Sequence, residues 1–167
     1  MTSGQLFRAF LDSGTHFLVG ALTWLVIDPR SLDSWDSSKR VLAVATLSSL
    51  IDIDHFIAAR SFRLSNALTA PYRGIFHCSG LLLTVNLILF SNCCSTTTGL
   101  CFLAAWLPHH IRDATRRGFY LFPPQVHTAP LRYDIATILT VSFPWLVSLL
   151  KMRLSPLNQP VRAVFNV

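Results

Sequence analysis

The stretch Val41–Ala59, VLAVATLSSLIDIDHFIAA, decides the fold class. Its uninterrupted apolar part, Val41 to Ile51, covers only ~16 Å at a helical rise of ~1.5 Å per residue. A bilayer's hydrocarbon core is ~30 Å thick. To cross it, the helix must run on through Asp52, Asp54 and His55 to about Ala59, carrying three ionisable groups into the membrane's depth. The rest of the chain favours that reading. Of its 167 residues, 51% are hydrophobic and 13% charged, and the mean hydropathy is +0.47. Soluble domains carry about 25% charged residues, so this chain has too little polar surface to cover a soluble globule.

Working outward, four more apolar stretches appear, at about Leu6–Ile27, Ile75–Phe90, Gly99–Ile111 and Ile135–Leu150. Asp28-Pro29-Arg30 stops the first, and Ser31 to Ser38 read as a polar loop. Pro71 precedes the stretch from Ile75. Pro123, Pro124 and Pro130 lie in the connection before the last stretch, and Pro144 should kink it. The tail from Lys151 reads as a loop. The N-terminal apolar run is broken by Asp12 and His16, unlike an ordinary signal peptide. The expected architecture is all-α, a multi-pass transmembrane bundle of four to five helices forming one membrane-embedded domain over 1–167.

Following the chain back and forth gives the central expectation. Helix one starts at one side, helix two returns to it, helix three leaves it and helix four returns. Asp12 and His16 are near the start of the first, and Asp52, Asp54 and His55 near the end of the second. His77 opens the third, and His109, His110 and Asp113 end the fourth. All fall on the same side. Arginines are slightly more numerous there, which favours the cytoplasm for that side. The formal net charge is +6, but the basic residues are scattered among apolar runs without a stripe for nucleic acid. The expected partner is the lipid bilayer.

An aspartate at a helix centre costs roughly 2.5–3.5 kcal/mol on insertion scales, so several need offsetting by hydration, by His or Arg partners, or by a metal. Asp12 and His16 are four apart, as are His109 and Asp113, which stacks each pair on one helix face. Asp52 and His55, three apart, are also neighbours. Imidazole with carboxylate suits zinc, manganese or iron, and a catalytic site keeps a position open for water. The expected metal set is Asp12, His16, Asp54, His55, His77, His109 and Asp113. Asp52 and Asp54 are the candidate catalytic carboxylates, and Arg73 and Arg112 the candidates for holding an anionic substrate. Each also has a plainer reading: His16 as a packed core residue, Asp52 or Asp54 as partners of an arginine, Arg112 as a juxtamembrane charge, His127 as a surface residue.

The four cysteines, Cys78, Cys93, Cys94 and Cys101, form no CxxC pair and read as small buried hydrophobes, with acylation of Cys93 and Cys94 as an alternative. HExxH, GxSxG, GxGxxG and P-loop motifs are lacking, which excludes the corresponding enzyme classes.

At these residues the sequence resembles two related groups. The segments SLIDIDHFIAARSFRLSNALTAPYRGIFHCS from Ser49 and HHIRDATRRGFYLFP from His109 resemble the multi-pass transmembrane protein 267 family, as does the pairing of Asp12 with His16. More distantly, Thr15, His16 and Gly20, then Asp52, Asp54 and His55, then Arg73, Gly74 and His77, then His109, Asp113, Thr115 and Gly118 are similar to the THxxxG, DxDH, HRGxTHS and HxxxDxxTxxG elements of the bacterial YdjM-like inner-membrane proteins. That resemblance implies a membrane hydrolase, zinc-dependent and distantly like phospholipase C. Tyr72, Phe76 and Cys78 depart from the third element. The leading expectation is thus a metal-dependent hydrolase of an ester, phosphoester or lipid. The alternatives are a non-enzymatic scaffold or assembly protein with a structural polar cluster and, third, a transporter using the same residues as a relay.

Overall fold

The computed structural model describes residues 3–70, 72–93, 95–123 and 126–154. Helix α1 spans Ser3–Ile27. Pro29 then opens a 3-10 turn, Pro29–Leu32, since its ring fixes φ and its missing N–H is not needed at a first turn. Helix α2, Trp35–Leu50, begins where the Ser34 side chain accepts from the Ser37 N–H. The polar segment expected to be a loop up to Ser38 is therefore cut short by this cap. A 3-10 turn, Ile51–Ile53, joins α2 to the short helix α3, Asp54–Ala58. Together they make a 24-residue apolar unit, Trp35–Ala58, long enough to cross a membrane.

After helix α4, Leu64–Leu68, comes another 3-10 turn, Ile75–His77, which precedes helix α5, Ser79–Ile88. His77 thus sits in a separate turn, where an opening helical turn was expected. A π-helical turn, Leu89–Cys93, closes α5. Helix α6 covers Thr96–Arg117, passing through Pro108. A two-stranded antiparallel hairpin follows, β1 Tyr120–Phe122 with β2 Val126–His127, in a connection the sequence had shown only as proline-rich. Helix α7, Tyr133–Leu154, continues through Pro144. Its last turn, Lys151–Leu154, is helical where a loop was expected from Lys151; the rest of that expected loop lies outside the described residues.

The five longer helical units agree with the expected bundle. Helix α6 packs on α1, α2, α5 and α7 and is buried on nearly every side, including Leu100, Ala104, Trp106, His109 and Asp113. The apolar core, Trp24, Ile27, Val44, Leu100, Ala104, Ala105 and Val147, lies at the end of α1 away from Asp12. Small residues permit close approach: a Cβ on Gly20 would stand 2.8 Å from the Ser48 Cβ. On α5 the buried Asn86 donates to the Gly99 carbonyl at 2.8 Å. Meanwhile Phe10, Leu18 and Leu22 of α1, Leu42 and Leu47 of α2, Leu83 and Leu87 of α5, and Ile138, Val141, Trp145 and Leu149 of α7 are exposed. Water does not tolerate a belt of that size; lipid does. With α1, the α2–α3 unit and Tyr133–Met152 each long and apolar enough to span, the protein is an integral, multi-pass membrane protein.

Candidate functional site

Four segments bring their polar side chains together beyond the apolar core. His16 lies near the middle of α1, and His109 and Asp113 share one face of α6. Asp52 and His55 come from the α2–α3 junction, and His77 from the turn before α5. The 3-10 turn at Ile51–Ile53 matters here. It hands the chain directly to α3, so Asp52 in the turn and His55 in the first turn of α3, three apart, point the same way. Asp54 is aimed elsewhere.

The contacts centre on the histidine Nε2 atoms. His77 Nε2 lies 3.4 Å from Asp113 Oδ2 and 3.6 Å from Asp52 Oδ1. His109 Nε2 and His55 Nε2 are each 3.6 Å from Asp52 Oδ1. His16 Nε2 is 3.5 Å from Asp113 Oδ1 and 4.0 Å from Asp52 Oδ2. Good N–H···O hydrogen bonds fall at roughly 2.7–3.2 Å, so these contacts are longer. They match the distance, about 3.4 Å, between two donors that each stand ~2.1 Å from one tetrahedral ion.

The opposite ring nitrogens fix which atoms face inward. His109 Nδ1 meets the Ser48 carbonyl at 2.8 Å. A carbonyl can only accept, so this nitrogen carries the proton and leaves Nε2 with a lone pair. His77 Nδ1 faces Asp54 Oδ2 at 3.3 Å, which orients His77 the same way. The two Nε2 atoms then face each other at 3.3 Å, an arrangement that needs a proton or a cation between them. Asp54 Oδ2 also accepts from the Phe76 and His77 backbone N–H groups at 2.6 and 3.1 Å. Gly74 permits this approach, since a Cβ there would fall 1.8 Å from Asp54 Oδ1. Asp54 is therefore placed behind His77, outside the inward-facing donors.

Asp12 is placed outside them as well. Its carboxylate takes a two-pronged contact from Arg116, 2.9 Å on each side, and pairs with Arg112. Arg112 Nη1 also donates to His16 Nε2 at 2.7 Å. Arg73, in the connection before α5, is buried and donates to the Gly118 and Asp113 carbonyls at 2.8 and 3.0 Å. Burial holds its guanidinium below its ordinary pKa, against the pull of Asp113. His110, not singled out as a site residue, is buried with both nitrogens engaged: Nδ1 with the Ser79 hydroxyl at 2.9 Å and Nε2 with the Phe76 carbonyl at 3.0 Å. It fastens the Ile75–His77 turn to α6. Nothing in the run His109-His110 tells the two rings apart; only the packing does. Exposed His127 stacks on Tyr120.

Beside the cluster lies a cavity of about 420 Å³, within the range of small-molecule sites. Asp12, Asp52, His55 and Asp113 supply its polar part. Leu50, Ile53, Phe56, Leu64 and Leu68 supply an apolar wall, and Arg73, Arg116 and Arg117 also line it.

Residues 11–166 match the family model described as YdjM inner membrane protein. The chain belongs to the YdjM inner membrane family. Transmembrane protein 267 of Mus musculus is 33% identical over 168 residues, which cover 96% of this chain and 76% of that protein. The Bos taurus protein of the same name is 36% identical over 149 residues, 84% and 67% of the two chains, and that of Xenopus laevis 33% over 150 residues, 86% and 68%. No solved structure matches. In this YdjM-family chain the residues present fit a cation. Two groups of four, His16, Asp52, His109, Asp113 and Asp52, His55, His77, Asp113, each offer ligand atoms within 4.8 Å of one another. Among the described residues, the buried atoms His16 Nδ1, Asp54 Oδ1 and Asp113 Oδ1 have no hydrogen-bond partner. Such atoms cost about 1–3 kcal/mol each, and a cation held there would offset part of that at Asp113.

Proposed function

We propose that this protein is a membrane-embedded hydrolase that uses a divalent cation to cleave an ester or phosphoester of a lipid-sized substrate. The observation that carries the reading is the pair of facing Nε2 atoms on His77 and His109, 3.3 Å apart, ringed by Asp52 and Asp113 at separations suited to coordination. A bound divalent cation of the zinc type supplies a Lewis acid that polarises the scissile group's oxygen and lowers the pKa of a coordinated water to near 7. His16, His55, His77, His109, Asp52 and Asp113 are the residues to hold it. Asp54 keeps the His77 ring in place and fixes its tautomer. Asp52 stands so centrally among imidazole nitrogens that we assign it as a ligand, and Asp54 faces backbone N–H groups, so neither is assigned as the proton acceptor. The apolar wall suits an acyl chain. Arg73 and Arg117 set positive charge beside the cavity for an anionic headgroup, while Arg112 and Arg116 belong with Asp12.

The test uses detergent-purified protein. Bound transition metal, and headgroup release from phospholipid micelles that stops with a chelator and resumes with Zn²⁺, are the expected results. Metal-free protein after Zn²⁺ loading and desalting would overturn the reading.

One observation favours a second reading, a non-enzymatic membrane scaffold. Arg112 donates to His16 Nε2 and pairs with Asp12, so the chain itself compensates part of the cluster's charge. On that reading, His77→Ala with His109→Ala keeps the cellular function as long as the fold is kept; on the hydrolase reading it abolishes it.

A further inference from the structure

We infer that the centre holds two divalent cations, with Asp52 and Asp113 shared between them. The inference rests on the metal reading above and extends it. The six inward donors are more than one tetrahedral ion takes, since a catalytic zinc keeps about three protein ligands and an open position. They divide by place. His16 and His109 stack on each other on one side, ring centroids 3.7 Å apart. His55 and His77 neighbour each other on the other side, at 4.7 Å.

Both carboxylates lie between the two pairs, and Asp113 divides its oxygens between them. Asp113 turns Oδ1 to His16 and Oδ2 to His77, at 3.5 and 3.4 Å. Asp52 turns Oδ2 to His16 at 4.0 Å and Oδ1 to His55, His77 and His109 at 3.6 Å each. Asp113, with one oxygen toward each imidazole pair, is arranged as a bridge, and Asp52 Oδ1 reaches histidines of both pairs. The four-residue groups share both carboxylates and no histidine. One contact must open for the His16 side to fill: Arg112 Nη1 leaves His16 Nε2 and keeps Asp12 as its partner. Two dications against two shared carboxylates leave net positive charge at the cavity's polar part. That charge would favour an anionic phosphoester over a neutral carboxylic ester.

The experiment loads the detergent-solubilised full chain with Zn²⁺, removes free metal and counts bound zinc by elemental analysis. Two zinc ions per chain are expected, falling to one in a His16→Ala, His109→Ala variant and to one in a His55→Ala, His77→Ala variant, each checked for monodispersity. Wild type with a single ion overturns the two-ion inference and leaves the metal-dependent reading standing; wild type with none overturns both. Loading the wild type with Mn²⁺ gives an answer that does not depend on the variants folding. An exchange-coupled electron paramagnetic resonance spectrum is expected at saturation, and an isolated six-line spectrum throughout the titration overturns the inference.

Discussion

His109 and His110 are adjacent, equally buried, and built for different work. His110 has a partner on each nitrogen, whereas His109 has one on Nδ1 and points Nε2 into the cluster. His110→Ala is therefore expected to cost about 1–3 kcal/mol through the partners it strands, read as a lower melting temperature, while bound metal per folded chain stays unchanged. His109→Ala is expected to lose metal. Asp54 acts one step back from the donors. Asp54→Asn keeps the shape but weakens its hold on His77 Nδ1, and metal affinity is expected to fall roughly 10–100-fold, measured by competition with a chromogenic chelator. Unchanged affinity would mean that the carboxylate behind His77 does not support it.

At the level of elements, two close approaches set the site's frame. The α1–α2 contact at Gly20 leaves no room for a side chain, and the Ile75–His77 turn closes over Asp54 only because position 74 lacks a Cβ. Gly20→Val is expected to destabilise the bundle by about 1–3 kcal/mol through overpacking, seen in thermal melts in detergent, because it wedges apart the helices that carry His16 and Asp52. Gly74→Ala is expected to lower metal content together with the melting temperature, since the turn must shift away from Asp54 and takes His77 with it. A Gly74→Ala protein with full metal content would show that the turn is free to move without its histidine.

For the whole molecule, threading direction is the testable quantity. Asp28 pairs with Lys151 at 3.2 Å, while Asp12 pairs with Arg112 and Arg116. The Asp28 and Lys151 ends therefore lie together, and the cluster lies toward the other end of α1. Single cysteines at Asp33 and at Arg117, in a background with the native cysteines replaced, are expected to react with a membrane-impermeant maleimide from opposite sides of the bilayer. Labelling from the same side contradicts the bundle. The sidedness also tests whether the arginine-richer end faces the cytoplasm.

Membrane embedding, a bundle of four to five longer helices and the gathering of Asp52, His55, His77, His109, Asp113 and His16 were legible in the chain alone. Each follows from one-dimensional arithmetic: an apolar run too short to span alone must carry its polar neighbours inward, and alternating direction puts those neighbours at one end. What each polar residue does there was decided only by tertiary structure. Asp12 and Asp54 read like Asp52 and Asp113 in the chain, yet Arg112 and Arg116 take up the first and the Phe76–His77 backbone the second. Those partners come from α6 and from the turn before α5, and no spacing within a segment records which way a neighbouring segment turns its donors. The hairpin at Tyr120–Phe122 and Val126–His127 and the 3-10 turn at Ile51–Ile53 also escaped notice. Both are only two or three residues per element, too short for a hydropathy pattern to show them.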